Sequence, residues 1–175
     1  MSSGAYRTIC GVGGGPIFVR HGKARVVNDV PTAAWPLDPN FVHDVSALAE
    51  RLADRRVVVS IDFRRALETA TLFGQPLRDP RLREVERQWT SDLDVLIRRY
   101  FAGESIRGWE SQTDVVARVS AVVDEFGDDA LYVGHGTSLT LYFKDRFPGL
   151  DAYGFWAQLR NPDAWLIQRD SLIRL

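Results

Sequence analysis

The sequence lacks several features that would assign it to particular classes of protein. It has a single cysteine, Cys10, so no disulfide can form within the chain. Lysine and arginine total 22 against 23 aspartate and glutamate residues, which argues against a general nucleic-acid binder. No apolar run approaches the roughly 20 residues of a membrane-spanning helix, and the start of the chain lacks the pattern of a secretory signal. We therefore expect a cytoplasmic protein with no nucleic-acid or membrane partner.

The chain is long enough and apolar enough to bury one core. It has 175 residues, of which 45% are hydrophobic, and we expect a single domain over residues 1–175. Residues 1–15 end in GVGGG and are expected to form a flexible, glycine-rich arm. A phosphate-binding loop is not expected there, because no Gly-Lys-Ser/Thr follows and no strand precedes the glycines.

Apolar residues alternate along the chain between strand-like runs and helix-like spacing. The expected strands cover residues 17–19, 57–59, 130–133 and 164–167, the last of them ending the fold. One helix is expected to begin near residue 41, and three others are expected over residues 66–73, 115–126 and 138–147. Alternation of strands with helices predicts an α/β fold: a three-layer α/β/α sandwich with a mostly parallel central sheet.

Proline and tryptophan residues bear on the segments between these elements. Three prolines between Lys23 and Asn40 exclude a long helix there, so a loop is expected. Trp35 lies in this loop, and both simple packing and contact with an apolar part of a substrate stay open. The other tryptophans among apolar neighbours are expected in the core or at subunit contacts. They are Trp89, Trp109, Trp156 and Trp165.

Two of the expected strands run directly into a histidine followed by glycine. Residues 17–22 read IFVRHG, and residues 131–136 read LYVGHG. Ligands of parallel α/β sheets bind beyond the carboxyl ends of the strands, so His21 and His135 are expected at one site. Gly22 would let the backbone approach a ligand closely. A third strand leads into Arg65, which places a guanidinium group at the same edge of the sheet.

These residue types suit phosphoryl transfer. A neutral imidazole such as His21 is a competent nucleophile near pH 7, because its ordinary pKa is about 6.5. Planar guanidinium groups stabilise the charge that spreads over the phosphoryl oxygens, a role that Arg20 and Arg65 fit. A protonated His135 would add a further donor. The leaving alkoxide needs a proton, and Glu84 is the candidate donor.

A metal centre is not expected from the sequence. It has no His-x-x-x-His pair and no cysteine cluster, and metal ligands seldom lie beside arginine. We therefore expect neither a metal nor another cofactor.

In their order along the chain, these segments resemble the histidine phosphatase superfamily, also called phosphoglycerate mutase-like. The segment Arg20-His21-Gly22 is similar to the family's Arg-His-Gly signature, whose histidine accepts the phosphoryl group. Residues 60–70, SIDFRRALETA, resemble Ser-Ser-Pro-Leu-x-Arg-Ala-x-Gln-Thr-Ala and align the second arginine with Arg65. Further similarities are those of residues 82–84 to the Leu-x-Glu proton-donor segment, 134–136 to the second-histidine motif, and 110–111 to a Glu-Ser segment before a helix.

The resemblance implies a metal-independent phosphomonoesterase that works through a phosphohistidine and takes a small-molecule phosphomonoester. The implied catalytic residues are His21, Glu84 and His135, and the implied substrate-binding residues are Arg20, Gly22, Lys23 and Arg65. A phosphoglycerate mutase-like phosphomutase and a phosphate-binding pseudoenzyme stay open as alternatives, as does a homodimer.

The chain departs from the family pattern at several positions. Lys23 stands where many members have glutamate, and Asp62 stands in place of proline. The segment after Glu84 lacks the glycine-containing continuation that is common in the mutases. Glu86 therefore stays an alternative proton donor, and the short chain favours a phosphatase over a mutase.

Overall fold

The computed structural model describes residues 14–52 and 54–175, so most of the expected glycine-rich arm, residues 1–15, lies outside the described residues. Six strands form one mixed sheet. They are β1 (Ile17–Arg20), β2 (Arg56–Val59), β3 (Leu77–Arg78), β4 (Ala130–Gly134), β5 (Asp163–Gln168) and β6 (Ser171–Arg174). Their order across the sheet is β3-β2-β4-β1-β5-β6.

The strand directions bring several carboxyl ends to one edge of the sheet. Strand β4 is parallel to both β1 and β2, and β3 is parallel to β2. Strand β5 runs antiparallel to β1 and forms an antiparallel pair with β6. Because Arg20 pairs with Gly134, and Val59 pairs with Val133, the residues that follow β1, β2 and β4 emerge side by side.

In the part of the chain that the structure describes, six helices cover the two faces of the sheet. They are α1 (Val42–Arg51), α2 (Arg64–Thr71), α3 (Leu93–Phe101), α4 (Gln112–Phe126), α5 (Gly136–Arg146) and α6 (Ala152–Gln158). Successive side chains of a strand point to opposite faces. Val57 and Val59 accordingly pack in one core with residues of α1 and α2, while Val58 packs in another with residues of α4 and α5. The predicted α/β/α sandwich with a mostly parallel sheet is confirmed.

Several elements differ from the sequence prediction. Strand β5 is not the last, because a turn through Arg169, with a φ of 53°, returns the chain as β6. Strand β3 was not predicted because it has only two residues, both exposed. Helices α3 and α6 were also missed, and the glycine and aromatic residues of α6 weaken its helical pattern.

The proline-rich segment is a loop, as predicted. Its only helical pieces are two short 3-10 turns, Thr32–Ala34 and Pro39–Phe41. Within the described ranges, none of the helices combines the length and hydropathy that a membrane crossing requires.

Candidate active site

The ends of three neighbouring strands bring the expected histidines together. His21 follows β1 and His135 follows β4, and the centres of their rings lie 5.0 Å apart. The segment from Ser60 to Asp62 follows β2, the strand that lies next to β4 in the sheet. The convergence that parallel strand order predicted is therefore present.

The hydrogen bonds of His21 fix its tautomer. Its Nδ1 lies 2.7 Å from the carbonyl oxygen of Gly22, and because that oxygen only accepts, Nδ1 carries the proton. The lone pair of Nε2 is then free to accept, and Arg65 Nε donates to it at 3.1 Å. Burial, followed by the charges of His135 and Arg65, holds the pKa of His21 well below its ordinary value. His21 is thus a neutral imidazole whose Nε2 can act as a nucleophile.

Two guanidinium groups flank this imidazole. Arg20 Nη1 donates to the Leu159 carbonyl at 3.0 Å, while its buried Nε has no hydrogen-bond partner among the described residues. Arg65 Nη1 donates to the Thr32 carbonyl at 2.9 Å. Burial lowers the pKa of both arginines from an ordinary value far above neutrality, so both stay cationic. The two groups keep N–H donors that an anion beside His21 can accept.

The side chain of Glu84 lies against the N-terminus of α5, where backbone N–H groups have no partner within the helix. Its carboxylate accepts from the N–H of Val85 at 2.9 Å and of Ser138 at 3.0 Å. Burial raises the pKa of Glu84. The positive charges of His135 and Arg87 and these backbone N–H groups together lower it by more, so the pKa lies below its ordinary value. Glu84 is ionised in this structure.

The alternative donor, Glu86, lies away from the imidazoles. Its side chain is 71% exposed and pairs with Arg83 at 3.0 Å. Glu84 lines the cavity above His21, whereas Glu86 is not part of that wall. The geometry favours Glu84.

A buried ion pair holds the backbone that carries Glu84. Glu110 accepts from Arg118 Nε at 2.8 Å and Nη2 at 3.0 Å, and both side chains are more than nine-tenths buried. Arg118 Nη1 also donates to the carbonyls of Arg81 at 2.6 Å and Arg83 at 2.8 Å. The Glu-Ser segment seen in the sequence therefore fixes, through Arg118, the position of the backbone that leads into Glu84.

Replacing Glu110 with glutamine is expected to destabilise the fold, because it leaves the buried Arg118 charge without a counter-ion. Removing one partner of a buried pair costs about 3 kcal/mol, which urea unfolding followed by circular dichroism measures. The matched control is Glu104→Gln, in a pair with Arg99 in which both side chains are about half exposed; its free energy of unfolding should change little. Equal losses in the two variants would contradict the supporting role of the buried pair.

His135 was expected to donate to the phosphoryl group, and this role stays a prediction. It is fully buried and is not part of the cavity wall. Its Nε2 lies 3.1 Å from both the Ser60 hydroxyl and Asp62 Oδ1, because these groups follow the neighbouring strand. In this structure His135 contacts a carboxylate and packs beside His21.

Asp62 is a site residue that sequence reasoning missed. One carboxylate oxygen contacts His135 and the Ser60 hydroxyl, and the other accepts the N–H of Glu84 at 2.9 Å. Burial raises the pKa of Asp62, but its hydrogen bond with His135 lowers it more, so Asp62 is ionised. Its position directly after a buried strand was the available signal, although the sequence was interpreted there only as a departure from the family pattern.

Gly22 is closely packed in this structure, and its expected role in substrate binding stays a prediction. Its N–H donates to Thr69 Oγ1 at 2.9 Å, and a Cβ at this position would overlap the side chains of Leu37 and Val45. Gly22 is not part of the cavity wall. Lys23, by contrast, is exposed and lines the cavity, with its ammonium group 5.1 Å from the centre of the Phe41 ring.

Asn161 is a second residue that the sequence did not disclose. Its Nδ2 donates to the carbonyl oxygen of His21 at 2.9 Å, and its side chain lines the cavity. No local motif marks it, because 140 residues separate the partners of this hydrogen bond.

A cavity of about 440 Å³ opens above these groups. Trp35 lines it, with its indole N–H bonded to the Val27 carbonyl at 2.9 Å. Trp89 also lines it and is 88% exposed, so Trp89 does not lie in the core of this chain. The alternative expectation for Trp89, a subunit contact, stays a prediction. Trp109, Trp156 and Trp165 are partly buried against the hydrophobic cores, as expected.

No three His, Cys, Asp or Glu side chains are grouped to hold a metal ion in the part of the chain that the structure describes. The acidic group nearest the histidines, Asp62, is engaged by His135 and by the backbone of Glu84. The donors that line the cavity are mainly cationic and suit an anion.

The strand ends of this α/β/α sandwich carry a neutral histidine, two arginines and a carboxylate, an arrangement that suits an anionic group. The family model of the histidine phosphatase superfamily (branch 1) matches residues 17–162. The chain belongs to this superfamily. No curated protein matches it significantly.

Solved structures with the same fold include known phosphatases. The mycobacterial glucosyl-3-phosphoglycerate phosphatase is 22% identical, with a TM-score of 0.66 over 87% of this chain and 89% of the other. A putative alpha-ribazole-5'-P phosphatase from Escherichia coli is 20% identical, with a TM-score of 0.60 over 91% and 93%. The protein TTHB049 from Thermus thermophilus is 23% identical, with a TM-score of 0.63 over 91% and 97%. These similarities establish the fold.

Proposed function

We propose that this protein hydrolyses phosphomonoesters without a metal, through a phosphohistidine on His21. The observation that carries the proposal is the neutral imidazole of His21, whose Nε2 lone pair faces Arg65 at the base of a cavity. Membership of the superfamily supports it. The mycobacterial phosphatase of the same fold has been solved with inorganic phosphate and with VO3, which are ligands of that protein.

In the first step, His21 Nε2 attacks phosphorus. Glu84 first takes the proton that the phosphomonoester monoanion carries. The N–P bond then forms while the P–O ester bond breaks, and the leaving alkoxide takes this proton from Glu84. Arg20 and Arg65 donate to the phosphoryl oxygens, where negative charge spreads in the transition state. Asn161 holds the backbone of His21 in position for this attack.

In the second step, water replaces the histidine. The Glu84 carboxylate accepts a proton from the attacking water, and the N–P bond breaks with His21 neutral again. The proton then passes from Glu84 to the departing phosphate or to solvent, which leaves Glu84 ionised for the next turnover. Because Glu84 is ionised before substrate binds, the proton for the first step must arrive with the substrate. A phosphomonoester monoanion, whose second pKa is about 6, can supply it.

Asp62 positions both groups that flank the nucleophile. Its carboxylate contacts His135 on one side and fixes the N–H of Glu84 on the other. We assign to Asp62 and His135 a positioning role that keeps the His21 ring and the Glu84 backbone aligned.

The rate at which an alkyl phosphomonoester is hydrolysed should depend on pH through the second ionisation of the ester itself. The depressed pKa values of His21 and Glu84 keep one neutral and the other ionised throughout the range from pH 6 to 8. We therefore expect kcat/KM to fall about tenfold per pH unit above pH 6, as the monoanion disappears. A steady-state profile measures this, and an ester with a more acidic second proton should shift the break downward. A break that stays in place for both esters would show that a protein group sets it.

A phosphomutase would use the same groups but must protect the phosphohistidine from water. The cavity mouth here carries the exposed Trp89 ring and is open to solvent, which favours hydrolysis. A phosphate-binding pseudoenzyme is disfavoured because Glu84 lies at the cavity despite the altered sequence that follows it.

A further inference from the structure

The cavity is larger than a phosphoryl group requires. Its volume of about 440 Å³ lies within the range of pockets that enclose a whole drug-sized ligand, roughly 300–1,000 Å³. The proposed phosphoryl contacts, Arg20, His21, Arg65 and Glu84, account for one end. The remaining volume must hold the leaving group, so its lining reports the kind of alcohol that fits.

Two indole rings from separate segments also line the cavity, and neither is among the proposed phosphoryl contacts. Trp89 comes from the segment between Glu84 and α3, and it is 88% exposed. An aromatic ring of this size ordinarily gains stability by burying most of its surface, so its exposure beside a cavity leaves a large apolar surface for a ligand to cover. Trp35 comes from the loop after β1, and hydrogen bonds from its Nε1 to the carbonyls of Val27 and Val30 hold the ring in place.

The other lining residues add apolar surface and positive charge. Phe63, Val85 and Leu93 line the cavity together with the two indoles. Lys23 and Arg87 also line it, and they disfavour a leaving group that carries a positive charge.

We propose that the substrate is the phosphomonoester of an aromatic alcohol, uncharged or anionic, whose ring packs against Trp89 and Trp35. This inference rests on the proposed function, since it assigns the leaving-group end of the same cavity. A flat ring can cover the exposed indole and gain the stabilisation that aromatic pairs provide. The competing explanation is that a second copy of this chain covers the exposed Trp89 ring.

The test compares naphthylmethyl phosphate with ethyl phosphate. Both release alkoxides of similar basicity, so a difference in kcat/KM reflects binding of the alcohol rather than bond strength. The wild type should prefer the naphthylmethyl ester about tenfold or more, and Trp89→Ala should reduce that preference about three- to tenfold. Trp89→Phe should keep most of it. The matched control is Leu77→Ala, an apolar side chain 47% exposed on β3 and outside the cavity wall, which should keep all of it.

Two outcomes would overturn the inference. One is equal kcat/KM for both esters, and the other is a Trp89→Ala variant that keeps the preference. If that variant also loses a dimer seen by light scattering, Trp89 is a contact between copies instead.

Failure of the proposed function would look different, because the wild type would then hydrolyse neither ester. In that case calorimetry with naphthylmethylphosphonate and ethylphosphonate tests the subsite without turnover. Tighter binding of the naphthyl compound to wild type than to Trp89→Ala supports the inference, and equal binding overturns it.

Discussion

Replacing His21 with alanine is expected to lower kcat/KM for 4-nitrophenyl phosphate about 10,000-fold or more, as loss of a nucleophile does in other enzymes. Alanine removes the Nε2 atom that forms the bond to phosphorus in the proposed mechanism, and no other histidine lines the cavity among the described residues. Activity measured in excess EDTA tests the metal-free mechanism at the same time. Acid-labile, base-stable labelling of the protein from a radioactive ester should appear in the wild type and vanish in the variant.

The matched control for this experiment is His43→Ala. His43 lies on α1 and is exposed, so its replacement should leave both turnover and labelling unchanged. A His21→Ala variant as active as the wild type would refute the mechanism. If the wild type binds phosphate but is as inactive as the variant, the pseudoenzyme replaces the phosphatase as the better hypothesis.

The second large effect is expected from Glu84→Gln. Glutamine keeps the shape of the side chain but cannot give or take the proton, and general acid catalysis contributes about 100- to 10,000-fold. The rate of hydrolysis of an alkyl phosphate should fall by this full factor. An ester of 4-nitrophenol should lose much less in its first step, because that leaving group departs without a proton. Rapid-quench measurement of both esters separates the first step from hydrolysis of the phosphohistidine.

Glu86→Gln is the control for Glu84→Gln. Glu86 is exposed and pairs with Arg83, so its replacement should affect the two esters equally and only slightly. If Glu86→Gln instead produces the ester-dependent loss, the proton donor is Glu86 and the loop must rearrange on binding.

The sequence predicted the parts of the site that lie in contiguous motifs. His21, His135 and Arg65 follow buried strands, and the rule that strand ends of a parallel sheet meet was enough to bring them together. The same rule located the α/β sandwich, because β1, β2 and β4 are short apolar runs with clear boundaries. Glu84 followed from its position in the order of motifs.

The remaining site residues depend on contacts that no local pattern encodes. Asp62 contacts His135 across 73 positions, and Asn161 contacts His21 across 140. Gly22 shows the converse, since its motif suggested ligand contact while the fold uses it to admit Leu37 and Val45. Trp89 was grouped with the tryptophans among apolar neighbours, but its own neighbours, Arg87, Gln88, Thr90 and Ser91, are polar. Their polarity was the available signal for its exposure.

The contact between Arg65 Nε and His21 Nε2 bears on how the nucleophile is kept from unwanted reactions. While this N–H donates to the Nε2 lone pair, the lone pair is not available for attack. A neutral electrophile does not compete for the guanidinium group, so the hydrogen bond stays in place. In the proposed mechanism, the oxygens of an incoming phosphoryl group compete for the same N–H, and this frees His21 Nε2 to attack phosphorus. A single hydrogen bond thus couples the reactivity of His21 to the arrival of an anion.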